Sequence, residues 1–438
     1  MGGLDLTPVK TRPVVIVSDT DLHGVSLGAA LYKAVEPMGE ENIAVVSHFD
    51  PKGPATTARG DLPALLRQLA GNVTEQHTVY FADVPLKIGA EQETVTALAE
   101  LAKKARVVYI DHHIEVLKHF AGKQIPRVDF RIYADAFSTY LPALMSVVIA
   151  GRDADARHIF DLAVLGLVAD VDLAALPVAQ QVAAALGFEV PTLEQIRQNY
   201  HVVAAIDAMV KSPQKPNAET DAALVGNMAS VVAYLAKKPL SEVASEALQK
   251  FPTPEPKEVA RDAEIVGDAV AVYKKLAPLG QGAKYAALLE AALDVPIVVV
   301  AAPVPRVQEY VVVMAFANAF LGSKVTAEVS KLLSEAKEPI VKELKERKLT
   351  KDEWIRPTPG FSVPVDASKV EEALRLVAER LASLYAQKQR EKIAAQVARE
   401  ELTVLVADEK LAASVARIVE AAVNAAAQKV LEALKERR

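Results

Sequence analysis

The sequence predicts an α/β protein in three parts: a parallel-sheet domain over residues 1–187, a helical insertion or connector over 188–288, and a smaller α/β domain with C-terminal helices over 289–438. Three observations predict it. Residues 12 to about 187 alternate strand-like and helix-like segments, the pattern of βαβ units. Strand signals then vanish from about Thr192 to Ala286, where helical periodicity takes over, and return at Ile297 to Ala301 and Tyr310 to Met314. Finally, four apolar runs of strand length in the first part each end abruptly on an acid, two of them alongside imidazoles.

The elements can be taken in order. Val14 to Val17 is a strand that runs into Ser18-Asp19-Thr20-Asp21-Leu22-His23-Gly24, and Val25 to Val35 is helical, with Ser26, Gly28 and Ala29 keeping its first turn small. Ile43 to Val46 is the next strand and ends at Ser47-His48-Phe49-Asp50. His48 and Asp50 there serve either a ligand or the turn itself, as a loop imidazole and a helix N-cap. Asp50 to Asp61, with Pro51, Gly53, Pro54 and Gly60, is a loop over the strand ends, and Leu62 to Ala70 is a helix. Val79 to Ala82 leads to Asp83, Thr94 to Lys104 is an amphipathic helix, and Val107 to Ile110 leads to Asp111-His112-His113. Ala136-Phe137-Ser138-Thr139 is a small polar step before the helix Tyr140 to Ala150; Ser138 and Thr139 are either phosphate contacts or a helix cap. The run Ala163 to Ala169 is read as a further strand, ending on Asp170.

Beyond these, proline-rich breaks at Ser212 to Asn217 and Phe251 to Pro256 end helices. A helix is expected near Val325 to Leu344, a strand within Thr358 to Val365, a helix over Val370 to Leu381 and a short strand over Leu402 to Val406. The Ala-rich helix Leu411 to Leu434 has an apolar face that must pack on something, and a homodimer is one solution. Trp354, the single tryptophan, either packs in a core or stacks on a base. Two basic clusters, Lys342 to Lys351 and Arg380 to Lys392, are either a solvated face or a track for a phosphate backbone.

Composition narrows the classes. The 438 residues are 51% hydrophobic and 24% charged, which is globular and long enough for two or three domains. Cysteine is absent, which excludes disulfides, zinc ribbons and thiol catalysis. A net charge of −6 excludes the global basic field of a duplex-binding protein. No apolar stretch approaches the ~20 residues of a membrane helix and no secretory signal is present, so a cytoplasmic protein without membrane contact is expected. Abundant Ala, Val, Glu, Lys and Arg hint at a thermophilic source.

In an open parallel sheet the carboxyl ends of the strands face one crevice, so Asp19, Asp21, His23, Asp83, Asp111, His112, His113 and Asp170 are expected to converge. One Asp after a strand is often just an N-cap, but four such sites in one chain point further. Several carboxylates in a desolvated crevice repel one another unless positive charge lies between them. Carboxylate mixed with imidazole suits Mn, Fe, Co or Zn better than calcium.

The order of D-x-D, a lone Asp after a strand, Asp-His-His and a final lone Asp resembles the DHH phosphoesterase superfamily, which includes RecJ-type exonucleases, nano-RNases and manganese pyrophosphatases. The resemblance covers roughly residues 12 to 175. It implies two divalent metal ions, Mn first and Mg, Co or Zn as alternatives, held by Asp19, Asp21, His23, Asp83, Asp111, His112 and Asp170. It further implies hydrolysis by two-metal water activation with His113 and Asp111 as catalytic residues, and a single-strand exonuclease or oligonucleotide hydrolase acting on short single-stranded nucleic acid. Arg356, Ser138, Thr139 and His48 are the candidate substrate contacts.

The chain departs from the family pattern twice. The usual H-x-D-x-D-G reads Asp19-Thr20-Asp21-Leu22-His23-Gly24, and the Gly-Gly-Gly-His loop of the associated second domain is replaced by about Asp352 to Arg356. Bulky and acidic residues cannot form the backbone nest that such a loop offers to phosphate. The alternatives are a catalytically lapsed scaffold partnered with replication or repair proteins such as helicase and GINS and, more weakly, a pyrophosphatase or polyphosphatase, or a metal-binding regulatory protein that senses a nucleotide without cleaving it.

Overall fold

A computed structural model describes residues 6–48, 62–86, 89–120, 122–211, 220–279, 281–304, 307–355 and 360–404. The chain divides into two units, Met1–Glu379 and Arg380–Arg438. The first contains two sheets.

The first sheet consists of β1 (Val14–Ser18), β2 (Ile43–Ser47), β3 (Thr78–Ala82), β4 (Arg106–Asp111) and β5 (Val128–Ile132), all parallel, in the order β2-β1-β3-β4-β5. Its helices are α1 (Leu22–Val35), α2 (Leu62–Ala70), α3 (Glu91–Ala102), α4 (Ile114–Phe120), α5 (Leu141–Ile149) and α6 (Asp153–Ala169). Alternate residues of each strand enter different cores. Val14, Ile16, Ala82, Val108 and Ile110 pack with α1, α5 and α6. Val15, Val17, Phe81, Val107 and Tyr109 pack with α2, α3 and α4. With both faces covered, the strands read as unbroken apolar runs, so they are recognisable without alternation.

After α7 (Leu176–Leu186), the helices α8 (Leu193–Lys211), α9 (Thr220–Lys237), α10 (Leu240–Lys250) and α11 (Pro256–Ala260) follow. α9 lies on α1 and β2, and α8 on α6, so this helical stretch extends the core of the first sheet. The second sheet is mixed, in the order β10-β9-β8-β7-β6. Its strands are β6 (Ala263–Val266), β7 (Val270–Leu276), β8 (Ile297–Val304), β9 (Val307–Ala317) and β10 (Phe361–Asp366), with α12 (Gly282–Ala292) and α13 (Ser323–Glu346) beside it. Only β7 and β8 pair in parallel. α14 (Val370–Val404) ends the described part, and its residues beyond Glu379 belong to the second unit. No helix among the described residues is long and apolar enough to cross a membrane.

Three expectations need correction. The run Ala163 to Ala169 is the second half of α6 rather than a strand. Residues Leu162 to Ala169 are buried apart from the half-buried Val164, so no polar alternation marks a period, and the acidic start at Asp153 and Asp155 is the better signal. Strands do occur between Thr192 and Ala286, as the hairpin β6–β7. Gly267 and Asp268 both have positive φ there, the turn chemistry that a Gly-Asp pair between apolar runs announces. Leu402 to Val404 continue α14 as helix, whereas the rest of that expected strand and the helix Leu411 to Leu434 lie outside the described residues, as do Asp50 to Asp61, Ser212 to Asn217 and Arg356.

Candidate metal centre

Strand β2 follows β1 on one side and β3 takes the other, so the crevice between the β1 and β3 tips is the topological switch point of the sheet. Asp19 and Asp21 follow β1, Asp83 follows β3, and Asp111 is the last residue of β4. The backbone ladder continues to these tips: the Asp19 amide donates to Ala82 O and the Asp83 amide to Ile110 O. Asp21 is the N-cap of α1 and accepts the Gly24 amide at 2.8 Å. A Cβ on Gly24 would overlap the Asp19 side chain, so glycine is required for this turn to fold back on itself.

Asp170 arrives differently, as the C-cap of α6. The helix gets close because residue 166 is glycine: a Cβ there would overlap the Tyr140 hydroxyl and the His23 ring. Two backbones beside the crevice are strained. Asp83 has φ of 59° and Val171, next to Asp170, has φ of 56°, a conformation that β-branched residues rarely adopt.

These elements bring eight of the expected residues together. Asp83 is the hub. Its Oδ2 lies 2.9 Å from His23 Nδ1, and its Oδ1 lies 3.3 Å from His112 Nε2 and 3.4 Å from His113 Nδ1. Asp170 lies 3.0 Å from His112 Nε2 and 3.7 Å from His23 Nδ1. Three groups have ligand atoms within 4.8 Å of one another: Asp19-Asp21-Asp83, His23-Asp83-His112 and Asp83-Asp111-His113. All three share Asp83, which is the carboxylate common to them among the described residues.

The remaining candidates separate. His48 is buried with Nδ1 3.2 Å from Asp19, so it adjoins the cluster. Ser138 is committed locally, its hydroxyl and amide both donating to Asp135. The buried Thr139 hydroxyl donates to Ala136 O at 2.6 Å and faces His23 Nε2 at 3.3 Å. Because that hydroxyl proton is already used, the hydroxyl accepts from an Nε2–H, so Nδ1 is the ring nitrogen on the Asp83 and Asp170 side, and its lone pair is free for a cation there once the ring is neutral. Sequence reasoning missed Tyr140 in this role. Its hydroxyl joins Ser26 at 2.6 Å and donates to His23 O, fixing the turn that carries the imidazole. Trp354 is buried against Tyr310, with Lys351 over its ring, and the packing alternative holds for it.

Electrostatically the cluster is extreme. Burial, then Asp21 and Asp83, push Asp19 well up from the carboxylate range, and burial with Asp83 and Asp170 raises Asp21. Burial pushes Asp111 up to about 6, with Asp83 adding to it. Burial opposes charge on Asp83 and Asp170 as well, but the surrounding imidazoles hold both below their usual range. Burial likewise opposes charge on the imidazoles, yet the carboxylates win. His112 is pushed up to about 11 by Asp170 and Asp83, His113 to about 10 by Asp111 and Asp83, and His23 to about 9 by Asp83 and Asp170. Among the described residues, no Lys or Arg forms an ion pair with any of the five carboxylates.

A divalent cation fits this donor set. Asp83 Oδ1, Asp111 Oδ2 and His112 Nε2 are buried without a hydrogen bond of good geometry among the described residues. His112 Nε2 nonetheless lies within ion-pair distance of two carboxylates. Close approach without aligned bonds is what results when donors are aimed at a common point between them rather than at each other.

No protein-family model and no curated protein matches the sequence. Solved structures do. A DHH-domain member of a family of ribosomal proteins is 13% identical, with a TM-score of 0.46 over 86% of this chain and 88% of that one. The exonuclease RecJ bound to manganese is 15% identical, with a TM-score of 0.37 over 86% and 90% of the two chains. CDC45 from Entamoeba histolytica is 7% identical, with a TM-score of 0.40 over 84% and 95%. The Asp111-His112-His113 triplet occupies the β4 tip, where the chain turns into α4.

Proposed function

We propose that the protein is a divalent-metal-dependent phosphodiesterase of the DHH type, hydrolysing short single-stranded nucleic acid from an end. The observation that carries this reading is the cluster of five carboxylates, of which Asp19, Asp83 and Asp111 are buried, whose only paired cations are imidazoles among the described residues. A permanently cationic neighbour would have neutralised the site; its absence among the described residues leaves room for metal.

Asp19, Asp21 and Asp83 would hold one cation, and His23, Asp83 and His112, with Asp170 beside them, a second. Mixed oxygen and nitrogen donors suit Mn, Fe, Co or Zn, and the DHH resemblance puts Mn first, with Mg, Co or Zn as alternatives. When bound, such cations lower the pKa of water and offset charge growing on the phosphoryl oxygens. The chain's own groups do the rest. Thr139 fixes the His23 ring, and Asp111 orients His113 through its Nδ1 at 3.1 Å. His113, held protonated by that carboxylate, donates toward a phosphoryl oxygen. The side chains of His112, His113 and Asp170 are 14%, 21% and 26% exposed, so substrate reaches the cluster from their side.

The test is release of mononucleotides from short labelled DNA and RNA oligonucleotides with Mn²⁺, compared with Asp83→Asn. Asparagine tolerates the positive φ of Asp83, so the variant isolates charge from backbone strain. The expected outcome is release by the unaltered chain and a loss of about 10³-fold or more in the variant. No release from DNA, RNA or dinucleotides with any of the four metals would transfer the reading to a scaffold of a replication or repair complex.

A further inference from the structure

The end of α6 determines where the Asp170 carboxylate sits, so the hydrogen bonds that finish this helix matter to the site. An α-helix leaves its last four carbonyls without partners inside the helix. In α6 these are Gly166, Leu167, Val168 and Ala169. The chain itself satisfies three: the Asp170 amide donates to Gly166 O at 3.0 Å, the Asp172 amide to Leu167 O at 3.1 Å, and the Val171 amide to Val168 O at 3.1 Å. This closure requires the positive φ of Val171. The fourth carbonyl, Ala169 O, accepts the Lys284 ammonium at 2.8 Å.

Lys284 comes from far away in the sequence. It lies in the first turn of α12, which packs on β8 of the second sheet and on α8. Its side chain is only 14% exposed, and its Nζ lies 4.0 Å from the fully buried Asp207 carboxylate on α8. The ammonium is therefore held between a buried acid and the negative end of the α6 dipole, where a cation is favoured. Ala169 O belongs to the peptide unit that also contains the Asp170 amide. A bond to this oxygen fixes the rotation of that unit, and with it the direction in which the Asp170 side chain leaves the backbone.

We infer that Lys284 is a positioning residue for Asp170, through which the helix beside the second sheet sets the geometry, and hence the affinity, of the metal centre. This rests on the metal centre proposed above. The Lys284 ammonium touches neither Asp170's carboxylate nor any other candidate ligand in the hydrogen bonds and ion pairs found; it acts through the backbone.

The experiment is a Mn²⁺ titration by calorimetry on the full chain, on Lys284→Met and on Lys284→Arg, with the urea midpoint of each metal-free protein. Methionine keeps the apolar stem and removes the charge and donors; arginine keeps both. The expected result is Mn²⁺ affinity lowered about 10- to 100-fold in Lys284→Met, the usual effect of removing a group that orients a ligand, and restored in Lys284→Arg. Unchanged affinity in Lys284→Met overturns the inference. So does a loss that arginine fails to restore, with urea midpoints falling in parallel, because that is a role in folding alone. If Lys284→Met does not fold, Lys284→Gln, one atom shorter and uncharged, is titrated against the same outcomes. An unaltered chain that binds no Mn²⁺ overturns the metal centre itself, whereas normal binding by Lys284→Met overturns only the role of Lys284.

Discussion

Glu290 and Asp83 are both fully buried acids, and the difference between them explains what the cluster requires. Glu290, on α12, accepts one backbone amide, from Ala319 at 3.2 Å, and has no cation beside it among the described residues; burial pushes it up to about 7. A single carboxyl escapes desolvation by staying protonated. Asp83 cannot, because three imidazoles surround it and hold it charged. The contrast gives a pH prediction. The folded pKa of Glu290 is raised above its ordinary 4.5, so as pH climbs from there toward 7 the unfolded chain releases a proton that the folded chain keeps. Stability therefore falls across this window, by roughly 3 kcal/mol at most. Urea midpoints measured near both ends of the window should converge in Glu290→Gln relative to the unaltered chain; an equal pH slope in both proteins contradicts the assignment.

At the scale of elements, the close packing of α1 and α6 brings His23 and Asp170 into one crevice, and Gly166 permits it. Gly166→Ala should lower stability by about 1 to 3 kcal/mol, since the added methyl meets the Tyr140 hydroxyl and His23 ring in a filled space. Gly28→Ala is the comparison. Its nearest neighbour would be Ser18 Oγ at 3.2 Å, and alanine gains helix propensity, so a near-neutral urea midpoint is expected there. Equal effects of the two would rule out the close approach as the reason for Gly166. The same pair of helices marks the limit of what the sequence disclosed. The β1, β3 and β4 tips were legible because a buried strand ending on Asp or His is a local pattern. The α6 run was not, because an apolar stretch without polar alternation has no visible period. Thr139 and Tyr140 were legible as small polar and aromatic residues but not as partners of His23, because those contacts join residues more than 110 positions apart. The β6–β7 hairpin could have been found from Gly267-Asp268.

For the whole molecule, the two sheets divide the work: the switch point of the parallel sheet gathers the acids, and α12 beside the mixed sheet reaches back to the helix that carries Asp170. A centre of this kind links metal binding to folding. Cations that bind the folded chain and not the unfolded one stabilise it in proportion to the logarithm of their concentration over Kd. The most direct test of the central claim, that cations lie between the five carboxylates, is the number of Mn²⁺ ions bound by the full chain at equilibrium. Two per chain, falling below one in Asp83→Asn, is the predicted result; a folded chain that binds none at millimolar Mn²⁺ contradicts it.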